Sequence, residues 1–123
     1  QNSTMYKLMT DGKDASNTPG SSASLYSKYD PMTYVAVDQT ATKVWLIEID
    51  GRQEWFSLGV KGYEMYRIAD KLGAWNMTRF DGGGSSAMWI YDAEKGSGAL
   101  VNSPSDSKGE RSDMNYILIR KKQ

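Results

Sequence analysis

Apolar and polar positions alternate along this chain in two rhythms, and the change from one to the other predicts its elements. Residues 34–37 and 43–49 are rich in β-branched and aromatic side chains and are separated by a polar Asp-Gln-Thr-Ala-Thr segment. That pattern predicts a hairpin. Glu54-Trp55-Phe56 predicts a third strand beyond the Asp50-Gly51 turn. Over residues 63–72 the period becomes helical: Met65, Ile68, Ala69 and Leu72 share one face, and Glu64, Arg67, Asp70 and Lys71 the other. Gly73 follows as a C-terminal cap, and Glu64 near the start and Lys71 near the end suit the helix dipole. Strands are then expected at 76–80, 87–91 and 115–120, with a turn region at 94–99 and a loop over 103–111. One helix among several strands predicts an α+β domain with a mainly antiparallel mixed sheet and one principal helix.

The front of the chain reads differently. Residues 1–30 are rich in Ser, Thr, Asn, Gly and Asp, most of all in Asn17-Thr18-Pro19-Gly20-Ser21-Ser22. They predict an irregular lead-in in which only Met5, Tyr6, Leu8 and Met9 have the character to anchor a short strand. Organised structure is expected from Thr33 onward.

Composition narrows the chemistry. The 123 residues form one domain at most, and 15 basic and 15 acidic residues leave no net charge. Bulk electrostatics therefore favours neither nucleic acid nor an anionic membrane, and no apolar run reaches the length of a membrane span. There is no cysteine and no histidine. Disulfides, thiolate metal sites, His-bearing zinc sites and an in-chain Ser-His-Asp triad are thereby excluded. The acidic residues are scattered rather than grouped as an oxygen-ligand cage, so neither metal nor cofactor is expected.

The most informative segment is residues 79–88, Arg-Phe-Asp-Gly-Gly-Gly-Ser-Ser-Ala-Met. A carboxylate, Asp81, precedes Gly82, Gly83 and Gly84 and then the hydroxyls of Ser85 and Ser86, all between two short apolar runs. Consecutive glycines admit φ > 0 and expose successive N–H groups that can form an anion-binding nest. A tight hairpin whose glycines serve only the turn has the same spacing, and Asp81 before glycine is also a common turn cap.

Asp81-Gly82-Gly83-Gly84-Ser85-Ser86 resembles the signature of the phosphodiester glycosidase family. Ile49-Asp50-Gly51-Arg52-Gln53, Leu58-Gly59, the helix end Lys71-Leu72-Gly73-Ala74-Trp75-Asn76, Val101-Asn102-Ser103-Pro104-Ser105-Asp106 and Gly109-Glu110-Arg111 follow in that family's order. The resemblance covers roughly residues 31–120. It makes 31–123 the C-terminal part of such a domain, with an upstream segment or a second chain completing the site. An Asn-Gly-Gly-Phe-Phe-like segment of the family has no counterpart here, and Met32 stands where the family tends to place an arginine.

The resemblance implies a hydrolase that cleaves the glycosidic bond of a sugar 1-phosphodiester, a carbohydrate ligand and an extracytoplasmic location. A phosphate monoester leaves readily, so charge stabilisation matters more than acid assistance. Asp81 is then the first candidate for the carboxylate at the anomeric carbon and Glu110 the second. Arg111, with Arg52 behind it, is the candidate phosphate fork. Gly82, Gly83, Gly84, Ser85, Ser86 and Asn102 complete the substrate-binding set. Glu110 and Arg111 as a solvated pair, and Arg52 as an exposed neighbour of a hairpin turn, are the plain alternatives. One of Trp45, Trp55, Trp75 and Trp89 lining the site would suit a sugar. A binding module that has lost catalysis, and a structural domain without ligand, are the competing classes.

Overall fold

A computed structural model describes residues 6–16, 27–113 and 116–122. Strands β1 (Tyr6–Thr10), β2 (Lys13–Asp14), β3 (Met32–Val37), β4 (Val44–Ile49) and β5 (Asn76–Gly82) form one sheet in the order β2-β1-β5-β3-β4. Helix α1 (Gly62–Leu72) connects β4 to β5, and a second, two-stranded sheet pairs β6 (Trp89–Asp92) with β7 (Ser97–Leu100). The class is α+β, as the periodicity predicts. Every strand pairing among the described residues is antiparallel rather than mixed.

The hairpin β3–β4 has an unbroken register from Met32↔Ile49 to Val37↔Val44. Its turn is held by one carboxylate: Asp38 accepts from the N–H groups of Thr42 at 2.8 Å and Lys43 at 2.7 Å. The Thr40 hydroxyl first, then these backbone bonds and the Thr42 hydroxyl, hold its pKa well below the usual carboxylate range. Alternation along β3 buries Met32, Tyr34 and Ala36 on the face that receives the helix, together with Met77 of β5 and Leu8 and Met9 of β1. A bulge between Lys7 and Met9 breaks the β1–β5 register where the consecutive Leu8 and Met9 are buried.

Helix α1 lies against this face through Met65 and Ala69, both fully buried, with Gly62. Ile68 and Leu72, expected on the same stripe, are 41% and 45% exposed. The buried line runs through Gly62, Met65 and Ala69, with Tyr66 packed beside it, so those two fall on its margin. The Glu64 carboxylate accepts from the Lys61 N–H at 3.0 Å, closing the first turn. Gly73 ends the helix in the left-handed region at φ 82, with Gly73 N–H bonded to Asp70 O and Ala74 N–H to Ala69 O.

Four expectations change. Tyr6–Thr10, inside the stretch expected to be an irregular lead-in, is a full strand beside the central one, anchored through Leu8 and Met9; Met5 and residues 17–26 lie outside the described residues. Glu54-Trp55-Phe56 is the tip of a turn rather than a strand. Gln53 and Ser57 bridge across it, with Phe56 N–H and Ser57 N–H both donating to Gln53 O. Residues 116–120 form no strand. They carry an apolar run, Tyr116 to Ile119, but no described strand pairs with it, and Tyr116 is 85% exposed. Asn115 lies outside the described residues. The expected turn at 94–99 closes by Gly96, and Ser97–Leu100 goes on to pair as β7.

Gly73→Ala tests the helix stop. No atom lies within 4 Å of a Cβ built there, so the cost is that of holding a non-glycine residue at positive φ. The variant is expected to lose about 1 kcal/mol in chemical denaturation, with an unchanged denaturant slope.

Candidate functional site

Strand β5 carries the glycine motif out of the sheet. Asp81 and Gly82 end it, a single 3-10 turn takes Gly83–Ser85, and Ser86 N–H closes that turn on Gly83 O. Asp81 is exposed, and its Oδ1 accepts from the Gly82 N–H at 2.9 Å. Gly83 N–H donates to Pro31 O at 3.0 Å. Two of the amides expected to form an anion nest are therefore engaged within the protein. Ser86 is fully buried and turned inward, so of the two hydroxyls only that of Ser85 is partly exposed.

The loop after β7 is tied to the motif through Asp50. Asp50 Oδ1 accepts from Asn102 Nδ2 at 3.0 Å and from Ser103 N–H at 2.8 Å. Asn102 also donates to Ser86 O at 2.9 Å and accepts from Met88 N–H at 2.8 Å. Gln53 adds a reciprocal pair with Ser103: Nε2 to the backbone O at 2.8 Å, and Ser103 Oγ to Oε1 at 2.9 Å. Both amide protons of Asn102 are committed to these bonds, which makes it an anchor of the loop. Gln53 and Ser103, which lie in segments that carry the resemblance but were not among the candidate site residues, are part of the same clasp.

This clasp brings Asp106 and Arg111 to the glycines. A Cβ on Gly84 would coincide with the Asp106 carboxylate, so glycine is what lets that group lie flat on the turn. Arg111 donates to Ser85 Oγ and lies 3.5 Å from carboxylate oxygens of both Asp106 and Asp113. From the other side, Arg52 adopts φ 56, lies against Gly83, and pairs its Nε with Asp30 Oδ1 at 2.8 Å. Asp81, the glycines, Ser85, Arg52 and Arg111 are thus drawn to one end of the sheet. Glu110 is exposed, and its Oε1 accepts from Trp89 Nε1 at 2.9 Å. Trp55 is 99% exposed at its turn tip.

A further carboxylate lies behind the motif. Glu48, on β4, accepts from Thr33 Oγ1 at 2.6 Å; its Oε1 is buried without a partner among the described residues. The buried Ser86 hydroxyl lies beside it without a hydrogen bond of good geometry. Burial pushes the Glu48 carboxyl up to about 7; the Thr33 and Ser86 hydroxyls pull against this, and the charge of Asp50 adds to it. The signal in the sequence was an acidic residue inside the apolar run Val44–Ile49. Met32, at the position where an arginine was expected, is buried, and the Arg79 guanidinium lies against its sulfur, Nε to Sδ 2.7 Å. No group of three or more potential metal ligands occurs among the described residues.

A strand carrying Asp-Gly-Gly-Gly-Ser-Ser, met by a clasped return loop and two arginines, defines a class. Residues 3–120 match the model of the phosphodiester glycosidase family, and the chain belongs to that family. Among solved structures it is similar to a protein of Burkholderia pseudomallei described as exported, BPSS2145, with 37% identity and a TM-score of 0.58. That match covers 68% of this chain and 14% of the other, so the chain spans about a seventh of that protein's length. No curated protein matches.

Glu48 gives the fold a pH dependence of definite sign. Its folded pKa, about 7, lies above the ordinary value of 4.5, so between these values the folded state holds the extra proton. The stability contribution is present below the lower value and is lost as pH rises through the upper one. Stability is expected to fall between pH 5 and 7 by at most about 1.4 kcal/mol per unit, and Glu48→Gln is expected to flatten that slope. Denaturation midpoints of both proteins across this range check it.

Proposed function

We propose that this chain carries part of the site of a hydrolase that cleaves the glycosidic C–O bond of a sugar 1-phosphodiester, releasing free sugar and an intact phosphate monoester. The observation that carries the reading is the convergence of Arg52 and Arg111 on Gly83 and Ser85, next to an exposed carboxylate, Asp81. Family membership gives the reaction class. The phosphoryl group lies against the arginines and the Ser85 hydroxyl, and Asp81 faces the anomeric carbon, where positive charge develops as phosphate leaves. Among the described residues the carboxylate engages only its own turn, so one oxygen remains for substrate. The related protein's description as exported supports an extracytoplasmic place for this one.

A second reading, a sugar-phosphate binding module without catalysis, is favoured by a specific observation. Both arginines are already paired with the chain's own carboxylates, Asp30, Asp106 and Asp113. Substrate has to compete with these partners or be held by groups supplied from elsewhere in the full-length protein. Turnover of a nitrophenyl or nucleotide sugar phosphodiester by the full-length protein separates the readings.

Asp81→Asn keeps an oxygen for the Gly82 N–H and removes the charge. It is expected to lower turnover about a hundredfold or more with an unchanged melting temperature. Unchanged turnover would return Asp81 to the role of turn cap. Hydrolysis in oxygen-18 water is expected to place the label in the sugar; label in the phosphate refutes cleavage at the anomeric carbon.

A further inference from the structure

Three arginines stand near the motif, and their surroundings differ. Arg52 and Arg111 are exposed and ion-paired. Arg79, on β5 two positions before Asp81, is half-buried and has no carboxylate within ion-pair distance among the described residues. Its neighbours are poor substitutes for an anion. Nε points at the Met32 sulfur at 2.7 Å, the guanidinium lies 5.6 Å from the centre of the Tyr6 ring, and Nη1 is buried with no acceptor among the described residues. A thioether is a weak acceptor, and a guanidinium carries N–H donors arranged to grip two oxygens at once. An incompletely partnered cation of this kind costs the fold stability, a cost that an anionic ligand offsets.

Its place points to which anion. The Met32 sulfur that meets Arg79 also lies 2.5 Å from where a Cβ on Gly82 would be, so guanidinium and glycine turn both lie against one side chain. The charges of Asp30 and Asp81 both act on Arg79. We infer that Arg79 joins Arg52 and Arg111 at this site and is the principal cation for the phosphoryl group bound beside the Asp81–Ser86 turn, presented from β5 alongside Met32. The assignment rests on the proposed site and deepens it. A tetrahedral anion with two free oxygens, a phosphodiester before cleavage and a phosphate monoester after it, suits the fork.

The test is equilibrium binding of inorganic phosphate and of a sugar 1-phosphate to the full-length protein, followed by calorimetry. Arg79→Gln and Arg79→Met are expected to weaken both at least tenfold while retaining a cooperative unfolding transition; Arg111→Gln is expected to weaken them less. In the unmutated protein, phosphate is expected to shift the Nε–H resonance of Arg79 more than those of Arg52 and Arg111. Unchanged affinity in either folded variant, or an unmoved Arg79 resonance at saturation, overturns the assignment. Moving the guanidinium across the strand pair, Met32→Arg with Arg79→Met, is expected to restore binding, and no recovery in a folded double variant counts against it. Binding that depends on Arg79 in a protein that does not release sugar from a sugar 1-phosphodiester would sink the hydrolase reading and leave this one standing.

Discussion

The Asp50 carboxylate is the joint on which the functional end of the molecule depends. One oxygen accepts from both Asn102 and Ser103, and through Asn102 the same contact reaches Ser86 and Met88. Hydrogen bonds to a charged group are stronger than neutral ones, and these link residues half the chain apart. Without them the return loop has little reason to lie on the glycine turn. Its arginine and its aspartates would then have no fixed relation to Asp81. The site is therefore held by a device that is itself not chemistry but attachment.

The sheet was legible where packing follows local pattern. The hairpin around Asp38, the helix with its Gly73 stop and the strand leading into the glycines all lie where alternation and period put them. Elements whose form depends on a distant partner were not legible. Tyr6–Thr10 reads as a polar lead-in with anchors for no more than a short strand until Met77 and Thr78 of β5 pair with it. Glu54-Trp55-Phe56 has the composition of a strand, yet Gln53 and Ser57 close it into a turn. At the site, the motif and its two arginines could be read as sequence. The inward turn of Ser86, the commitment of Asn102 and the raised Glu48 could not, because each results from which neighbour lies across the fold.

Charge at the sheet end is arranged unevenly. The two exposed arginines are already answered by carboxylates, at distances that solvent screens to modest energies. The half-buried one is answered by sulfur and an aromatic ring. Glu48, behind the turn, is pushed towards its neutral form by burial. Each unmet demand therefore lies beneath the motif rather than on its rim, where the low dielectric makes a correctly placed partner count for more.

Strand β5 lies at the middle of the five-stranded sheet, but its residues come late among those that build it. Both of its neighbours, β1 and β3, are made earlier, and β1 has no described sheet partner other than β5 and the two-residue β2. During synthesis the hairpin β3–β4 can close by itself, whereas β1, with only the two-residue β2 beside it, must wait for more than sixty residues of chain to follow it. Assembly of this sheet is thus a late, non-local event, of the kind that slows folding. The strand whose arrival completes the sheet also carries Asp81 and the first glycine to their places, so scaffold and site are finished in one step.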